Sequence, residues 1–214
     1  MSLFKNSILI ILVINLLIGC SSGSIYRELF ENLSILFQDP QDIPEKEFKK
    51  IIYSTKQARI GRSRNSIIVL EEINEDIYKW TSSNFIKIYT KNNYVMRLTG
   101  LGNELDNIDF DPSHPANTKN FEKILGEELT SFYTFNDPSL HRLPVKTLFS
   151  FVGNEVVLVS DHEYDTKVYK EESQENLISW NFTNYFWVDE NKEIIKSIQS
   201  FTPKNPKIYL KETP

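Results

Sequence analysis

The chain has 214 residues, 40% hydrophobic and 25% charged, with a formal net charge of −5 at pH 7. This length can bury one large core or two small ones, and a mildly acidic chain lacks the basic footprint of a nucleic-acid binder. Phe (14) and Tyr (10) are abundant and favour β structure, while the single cysteine excludes an intrachain disulfide.

The N-terminus carries Lys5, an apolar run from Ile8 to Ile18, and the junction Leu17-Ile18-Gly19-Cys20. A basic start, a short apolar stretch and a small residue before a cut are the parts of a secretory signal. The run is about half of the ~20 apolar residues that a spanning helix needs. Leu-Ile-Gly-Cys resembles a bacterial lipobox, in which the cysteine thiol takes a diacylglyceryl group and becomes the new N-terminus. The expected organisation is a signal peptide at 1–19, a lipidated tether at 20–24 with Cys20 as the lipid site, and a domain at 25–214. Removing 19 of 214 residues leaves 195 and takes away Lys5, so the formal charge becomes −6. With Cys20 lipidated, no thiol remains to ligate a metal. Ser21, rather than Asp, follows the cysteine and resembles the class of lipoproteins directed to the outer membrane.

In chain order, Ile25, Leu29, Leu33 and Leu36 mark one face of an amphipathic helix from Ile25 to Phe37, with Ser24 as a cap and Asp39-Pro40 as a stop. Its polar face is not basic, so it is expected to pack on the domain rather than lie on a membrane. Phe48 to Tyr53 reads as strand-like, and Ile67-Ile68-Val69-Leu70 as a buried strand. Ile77 to Thr81 and Phe85 to Tyr89 flank the loop Ser82-Ser83-Asn84. Lys91-Asn92-Asn93 is a tight-turn signal before Tyr94 to Leu98. Asn107 to Pro115 reads as a surface loop, Phe121 to Leu125 as a short helix, and Glu128 to Phe135 as a strand turned by Asn136-Asp137-Pro138. Gly153-Asn154 reads as a hairpin turn between Val145–Val152 and Glu155–Ser160. Lys167 to Asn176 reads as a charged, exposed excursion. Phe182 to Val188 and Glu193 to Phe201 are strands around the turn at 189–192, the second with Ile194, Lys196, Ile198 and Ser200 on one face. Lys207 to Leu210 is the last strand. Turns every 8–12 residues are the spacing of sandwiches, barrels and curled sheets. The expected fold is mainly β: a single antiparallel β-rich domain (a curled sheet, barrel-like or a sandwich) with an N-terminal helix and one or two short peripheral helices.

The chemistry in the sequence is sparse. No Gly-rich phosphate loop, Gly-x-Ser-x-Gly or His-Glu-x-x-His occurs. His114, His141 and His162 have no metal-ligand spacing, so neither a metal nor a cofactor is expected. Asp161-His162-Glu163 joins imidazole and carboxylates, but in a strand the histidine points away from its neighbours. Arg59, Arg62 and Arg64 around Gly61 are the densest positive charge, and guanidinium forks pair with carboxylates or phosphates. They could contact an acidic glycan or a partner, or pair with acids of the same domain. Trp80, Trp180 and Trp187 could be sugar-stacking faces or core residues. Arg59, Arg62, Trp80 and Trp187 are therefore the candidate glycan or partner contacts. Gly61 and Gly102 are assigned to backbone geometry, and no catalytic residue is assigned.

Several stretches together resemble the YjbF/GfcB family of group 4 capsule and exopolysaccharide lipoproteins. They are Ala58-Arg59-Ile60-Gly61-Arg62 with Ile67-Ile68-Val69-Leu70; Trp80; the run Arg97-Leu98-Thr99-Gly100-Leu101-Gly102-Asn103-Glu104-Leu105; and Asn184-Tyr185-Phe186-Trp187-Val188-Asp189 followed by Ser197, Gln199 and Pro203. Glu190-Asn191-Lys192 stands where the family pattern has a turn glycine, and Lys167 to Asn176 matches no part of it. The resemblance implies a mostly β protein, lipid-anchored at the periplasmic face of the outer membrane, whose neighbours make, export or regulate an extracellular polysaccharide. It implies no catalytic residue. Three readings follow: a non-enzymatic accessory that binds exopolysaccharide or an export-machinery protein, a glycan-modifying hydrolase using a carboxylate pair, and a structural envelope protein.

Overall fold

The computed structural model describes residues 42–102 and 104–214. The expected signal peptide, Cys20, the expected tether and the helix expected at Ile25–Phe37 lie outside them. The described residues form a closed antiparallel barrel of twelve strands, each paired with its sequence neighbours and the last with the first. The strands are β1 Thr55–Ile60, β2 Ser66–Asn74, β3 Ile77–Ser82, β4 Lys87–Lys91, β5 Tyr94–Thr99, β6 Leu105–Asp109, β7 Glu128–Phe135, β8 Leu140–Val159, β9 His162–Glu175, β10 Trp180–Val188, β11 Ile194–Gln199 and β12 Ile208–Glu212. Helix α1, Glu45–Phe48, precedes the barrel. Helix α2, Pro115–Thr118, and a 3-10 turn, Glu122–Ile124, lie between β6 and β7. Of the three expected architectures, the barrel is the one observed.

Closure is made by β1 against β12, in a register running from Lys56↔Glu212 to Ile60↔Ile208. Strands alternate inward and outward side chains with period two, and the inward set is mostly apolar. The outward set carries ion pairs such as Lys79–Glu71 (2.7 Å), Lys146–Glu128 (2.7 Å) and Lys170–Glu172 (2.9 Å). A membrane-spanning barrel has the opposite arrangement, with lipid-facing apolar residues and a polar lumen. This barrel has a water-facing wall and a packed core.

The interior is layered. Leu98, Leu105, Val145, Trp180, Phe182, Phe201 and Ile208 fill one end. Tyr94, Phe121, Phe149, Tyr169, Phe186 and Val188 fill the other. Between them runs a polar belt. Asn184 Nδ2 donates to Glu171 Oε2 at 3.1 Å, and Ser173 Oγ donates to Glu171 Oε1 at 3.2 Å. The Thr147 and Ser173 hydroxyls lie 2.9 Å apart. Gln199 Nε2 donates to Ser197 Oγ at 2.9 Å, while its Oε1 accepts from the Val95 N–H at 2.9 Å. Strand β10 shows the layering in one alternation: Trp180 and Phe182, then Asn184, then Phe186 and Val188.

The middle of the chain departs from the sequence expectations. Phe48 to Tyr53 is not a strand: Glu45 and Lys49 pair at i,i+4 after Pro44, closing one helical turn. The β2 run is a strand, but within its apolar stretch only Ile68 is fully buried, because a barrel strand has one outer face. Asn107 to Pro115 is the end of β6 followed by a plug, with His114 and Ala116 buried in the barrel mouth. Gly153-Asn154 is not a turn. Gly153 has φ 158°, which is extended backbone, and sits where the β8–β9 register shifts, so β8 continues for 20 residues. Lys167 to Asn176 is not an excursion: most of it is β9, which turns Glu171, Ser173 and Glu175 into the interior. On β11 the inward residues include Ser197 and Gln199, while Lys196 and Ile198 face out. A bulge between Trp187 and Val188 shifts the register there. Gly61 (φ 56°) and Gly102 (φ 68°) do take left-handed backbone, and at Gly61 a Cβ would lie 2.9 Å from Pro206 Cβ.

The past-barrel part of the β8–β9 hairpin is an arm. β7 pairs with β8 only to Leu148, and β10 pairs with β9 only to Lys167. Beyond these points the arm lays Val157 and Val159 with Val168 over Trp187 and Ile195, a small second core on the outside of the wall.

The polar belt sets a pH dependence. Burial raises the Glu171 carboxyl from 4.5 to about 7, against the lowering effect of its Asn184 and Ser173 bonds. The folded protein therefore holds this proton more tightly than the unfolded chain does. The stability this carboxyl contributes is full below about pH 4.5 and is lost as pH rises through 7. Denaturation in urea at pH 5 and pH 8.5 checks this. The Glu171→Gln variant is expected to lose less stability between the two pH values than the parent does, by on the order of 3 kcal/mol.

Candidate functional site at the plugged end of the barrel

One end of the barrel carries the β2–β3, β4–β5, β8–β9 and β10–β11 turns, the β6–β7 plug and both ends of the described chain. The plug is built on His114. It caps α2 by accepting the Ala116 N–H on Nδ1 at 3.1 Å, and its ring packs against Phe110 (4.5 Å) and Tyr94 (4.8 Å). Burial lowers the His114 pKa to about 3, so the ring is neutral and acts as a packing and capping group. Phe121 follows and stacks on Tyr169 at 4.6 Å with planes 19° apart. The plug closes this mouth by an aromatic cluster.

Two hollows remain at the surface of this end. The larger, about 660 Å3, lies between the plug, the arm and the β10–β11 turn. Its lining includes Lys119, Lys167 and Lys192, with Glu122, Glu155, Asp165, Asp189 and Glu190. Acids therefore outnumber lysines by two. Glu122 bonds Lys167 at 2.5 Å, and this bond holds its carboxyl below the usual range. Glu155 faces Lys196 at 3.7 Å. The smaller hollow, about 360 Å3, is lined by Lys56, Tyr78, Trp80, Asn92, Asn93, Glu193 and Glu212, among others. Lys119 lines both hollows, and its 2.5 Å ion pair with Glu193 connects the plug to the β10–β11 turn.

The smaller hollow holds a buried ion pair. Lys56 faces inward from β1, bonded to Glu212 of β12, with its Nζ 4.8 Å from the centroid of the Trp80 ring. Desolvation lowers the Lys56 pKa and Glu212 partly offsets it. Glu212 also accepts from Asn93 Nδ2 at 2.7 Å, and the same amide donates to the Ile194 carbonyl at 2.8 Å. Asn92 Nδ2 donates to the Ala116 carbonyl at 2.8 Å, tying the β4–β5 turn to the plug. Both asparagines hold positive φ, 46° and 64°, as in a two-residue hairpin turn, where the sequence has the tight-turn signal Lys91-Asn92-Asn93. Tyr78 stacks beside Trp80, 6.4 Å centre to centre with planes 14° apart, and is 38% exposed. It is the accessible aromatic face of this hollow.

The structure scatters the four candidate contacts. Trp80 is inside the barrel, its Nε1 donating to Thr90 Oγ1 at 3.0 Å. Trp187 is on the outer wall under the arm, with Lys196 Nζ 4.0 Å from its ring centroid. Arg59 lies on the outer wall, its guanidinium 3.7 Å from the ring centroid of its cross-strand neighbour Tyr209. Arg62 is exposed in the β1–β2 turn at the opposite end of the barrel. Neither tryptophan is a free sugar platform, because each spends its faces on packing. The residues missed are Lys56, Tyr78, Asn93, Lys119 and Glu212. Of these, Lys56 had a signal, since period two places it on the same face as Ala58.

Stability separates the two roles for these residues. Trp80→Ala is expected to cost about 3–5 kcal/mol, as for a core aromatic. Arg62→Ala is expected to stay within about 0.5 kcal/mol. Urea midpoints measure both, and an unshifted midpoint for Trp80→Ala would contradict the buried placement.

Comparison with known proteins agrees with this architecture. The family described as group 4 capsule polysaccharide lipoprotein gfcB, YjbF, matches residues 25–212. The uncharacterized lipoprotein GfcB of Escherichia coli K12 is 22% identical over 175 residues, covering 81% of each chain. The crystal structure of the hypothetical lipoprotein YmcC from Escherichia coli K12 superposes with a TM-score of 0.71 at 19% identity, covering 89% of this chain and 94% of that one. With its match spanning the whole barrel, the chain is a member of the YjbF/GfcB family of group 4 capsule polysaccharide lipoproteins.

Proposed function

We propose that this protein is a lipid-anchored accessory of capsule or exopolysaccharide production, held through Cys20 at the periplasmic face of the outer membrane, and that it works by binding rather than by catalysis. The observation that carries this reading is the combination of a filled barrel with polar hollows at one end. A packed interior offers no conduit for a glycan, so a polymer or a protein partner meets the surface. The plugged end supplies what glycan binding uses: fixed amides, carboxylates, lysines and the exposed Tyr78 face.

The electrostatics favour binding over hydrolysis. A glycosidase acid needs a carboxyl with a raised pKa beside the scissile bond. In the larger hollow Glu122 is paired with lysine and its pKa is lowered. The carboxyl that burial does raise, Glu171, is sealed in the interior. The acidic balance of the larger hollow favours a neutral or amino-bearing glycan, or a basic protein segment, over a polyanionic chain.

Calorimetry of the chain from Ser21 to Pro214 with the organism's own exopolysaccharide tests this. Saturable binding is expected, weakened roughly tenfold by Tyr78→Ala, a loss of about 1.4 kcal/mol, and unchanged by Arg62→Ala. Deletion of the gene is expected to reduce extracellular polysaccharide. An unchanged glycan output together with no binding heat would sink the proposal.

A further inference from the structure

Barrel closure pairs every strand with a neighbour on each side, but the arm runs on past its β7 and β10 partners. On the β7 side, β8 is covered only as far as Phe149, whose carbonyl accepts the Gly126 N–H at 3.1 Å. Past it, among the described residues, the backbone of 151–159 is laddered to β9 alone. This open edge is also apolar. Leu148, Phe151, Val152, Val156 and Leu158 are all exposed large hydrophobics of β8, with Val156 at 53% and Leu158 at 54%. Gly153-Asn154-Glu155-Val156-Val157-Leu158-Val159 has no proline and no lysine, the residues with which monomeric proteins blunt an edge.

The segment is complementary to itself. An antiparallel pair with its two-fold axis at Val156 sets Val156 against its own copy, Asn154 against Leu158, Glu155 against Val157 and Gly153 against Val159. No like charges oppose each other, and the carboxylate of Glu155 already faces Lys196. On the outward face each Leu158 lies diagonal to the other copy's Val156, within the ~7–8 Å reach of such neighbours. The four side chains form one apolar cluster, and every residue of the pairing lies in the regular part of the β8–β9 ladder, from Gly153↔Val168 to Val159↔His162. Asp42 lines the same hollow as Glu155 to Leu158. Two such copies would therefore bring the two Asp42 residues near the axis.

We propose that the free edge of the β8 arm pairs antiparallel with the same edge of a second copy of this chain, giving a two-fold dimer centred on Val156. A symmetric homodimer needs one self-complementary patch, and this edge is one.

Sedimentation velocity of the chain from Ser21 to Pro214, which contains every strand of the closed barrel, tests the state over roughly 1–200 μM. A dimer is expected, and Val156→Lys, which sets lysine against lysine, is expected to return it to monomer. In the full-length protein in cells, Val156→Cys is expected to give a disulfide-linked dimer on a non-reducing gel, because directly opposed residues have Cα atoms about 4.5–5.5 Å apart. Asn154→Cys, whose copy is four residues along, roughly 13 Å away, is expected to give none. Circular dichroism checks that each variant is folded. A parent chain that is monomeric throughout, a dimer indifferent to a folded Val156→Lys variant, or cross-linking by Asn154→Cys rather than Val156→Cys would overturn the proposal, the first leaving the edge to a strand of a different protein.

Discussion

The pairing of β1 with β12 is the constraint on which the rest of the structure depends. It joins residues 148 to 156 positions apart in sequence and turns a meander into a closed barrel. An open sheet of this length would expose two rows of unpaired amides and half of its apolar face. Closure also decides which charges are tolerated inside. Lys56 and Glu212 are opposite each other in that register and meet in the mouth. Taking two charges out of water costs several kcal/mol per ion, and here that cost is offset by the pair itself, the Trp80 ring and the Asn93 amide. The same contact that closes the fold therefore builds one wall of the candidate site.

The polar belt across the interior has the same character. Glu171, Ser173, Asn184, Ser197 and Gln199 satisfy one another and the backbone at Val95 and Ser200. A network of this kind adds little net stability and penalises any slip in register, because a one-residue shift would strand each buried polar group without its partner. The register of β9, β10 and β11 is thereby fixed from inside, while outer ion pairs add small, salt-screened contributions. The two ends of the barrel then differ. One is capped by short turns around aliphatic and tryptophan packing, and the other by the His114 plug with its two surface hollows.

The interior of the described barrel is packed, so it leaves no pore and any partner meets it at the surface. In the arm the sheet outruns the barrel, and the arm is held down by Trp187 and Ile195 beneath it. A barrel that leaves the outer edge of this arm unpaired places backbone donors and acceptors where an assembly contact can use them.

The sequence by itself determined the β-rich class, the turn positions marked by Lys91-Asn92-Asn93 and Asn136-Asp137-Pro138, the backbone role of the glycines at 61 and 102, and the resemblance to the family. These follow from local pattern: period-two alternation, turn chemistry and short motifs each act within a few residues. Only the tertiary structure decided that the meander closes, that Lys167 to Asn176 faces inward, that Gly153 extends a strand instead of ending it, and that Trp80 and Trp187 are packing residues. Charge misled at β9 because Glu171 and Glu175 look solvated until cross-strand partners such as Asn184 and the turn amides of Leu177 and Ile178 are brought to them. Whether a charged side chain is inside depends on what the register places opposite it, and that is decided by barrel closure across the whole chain.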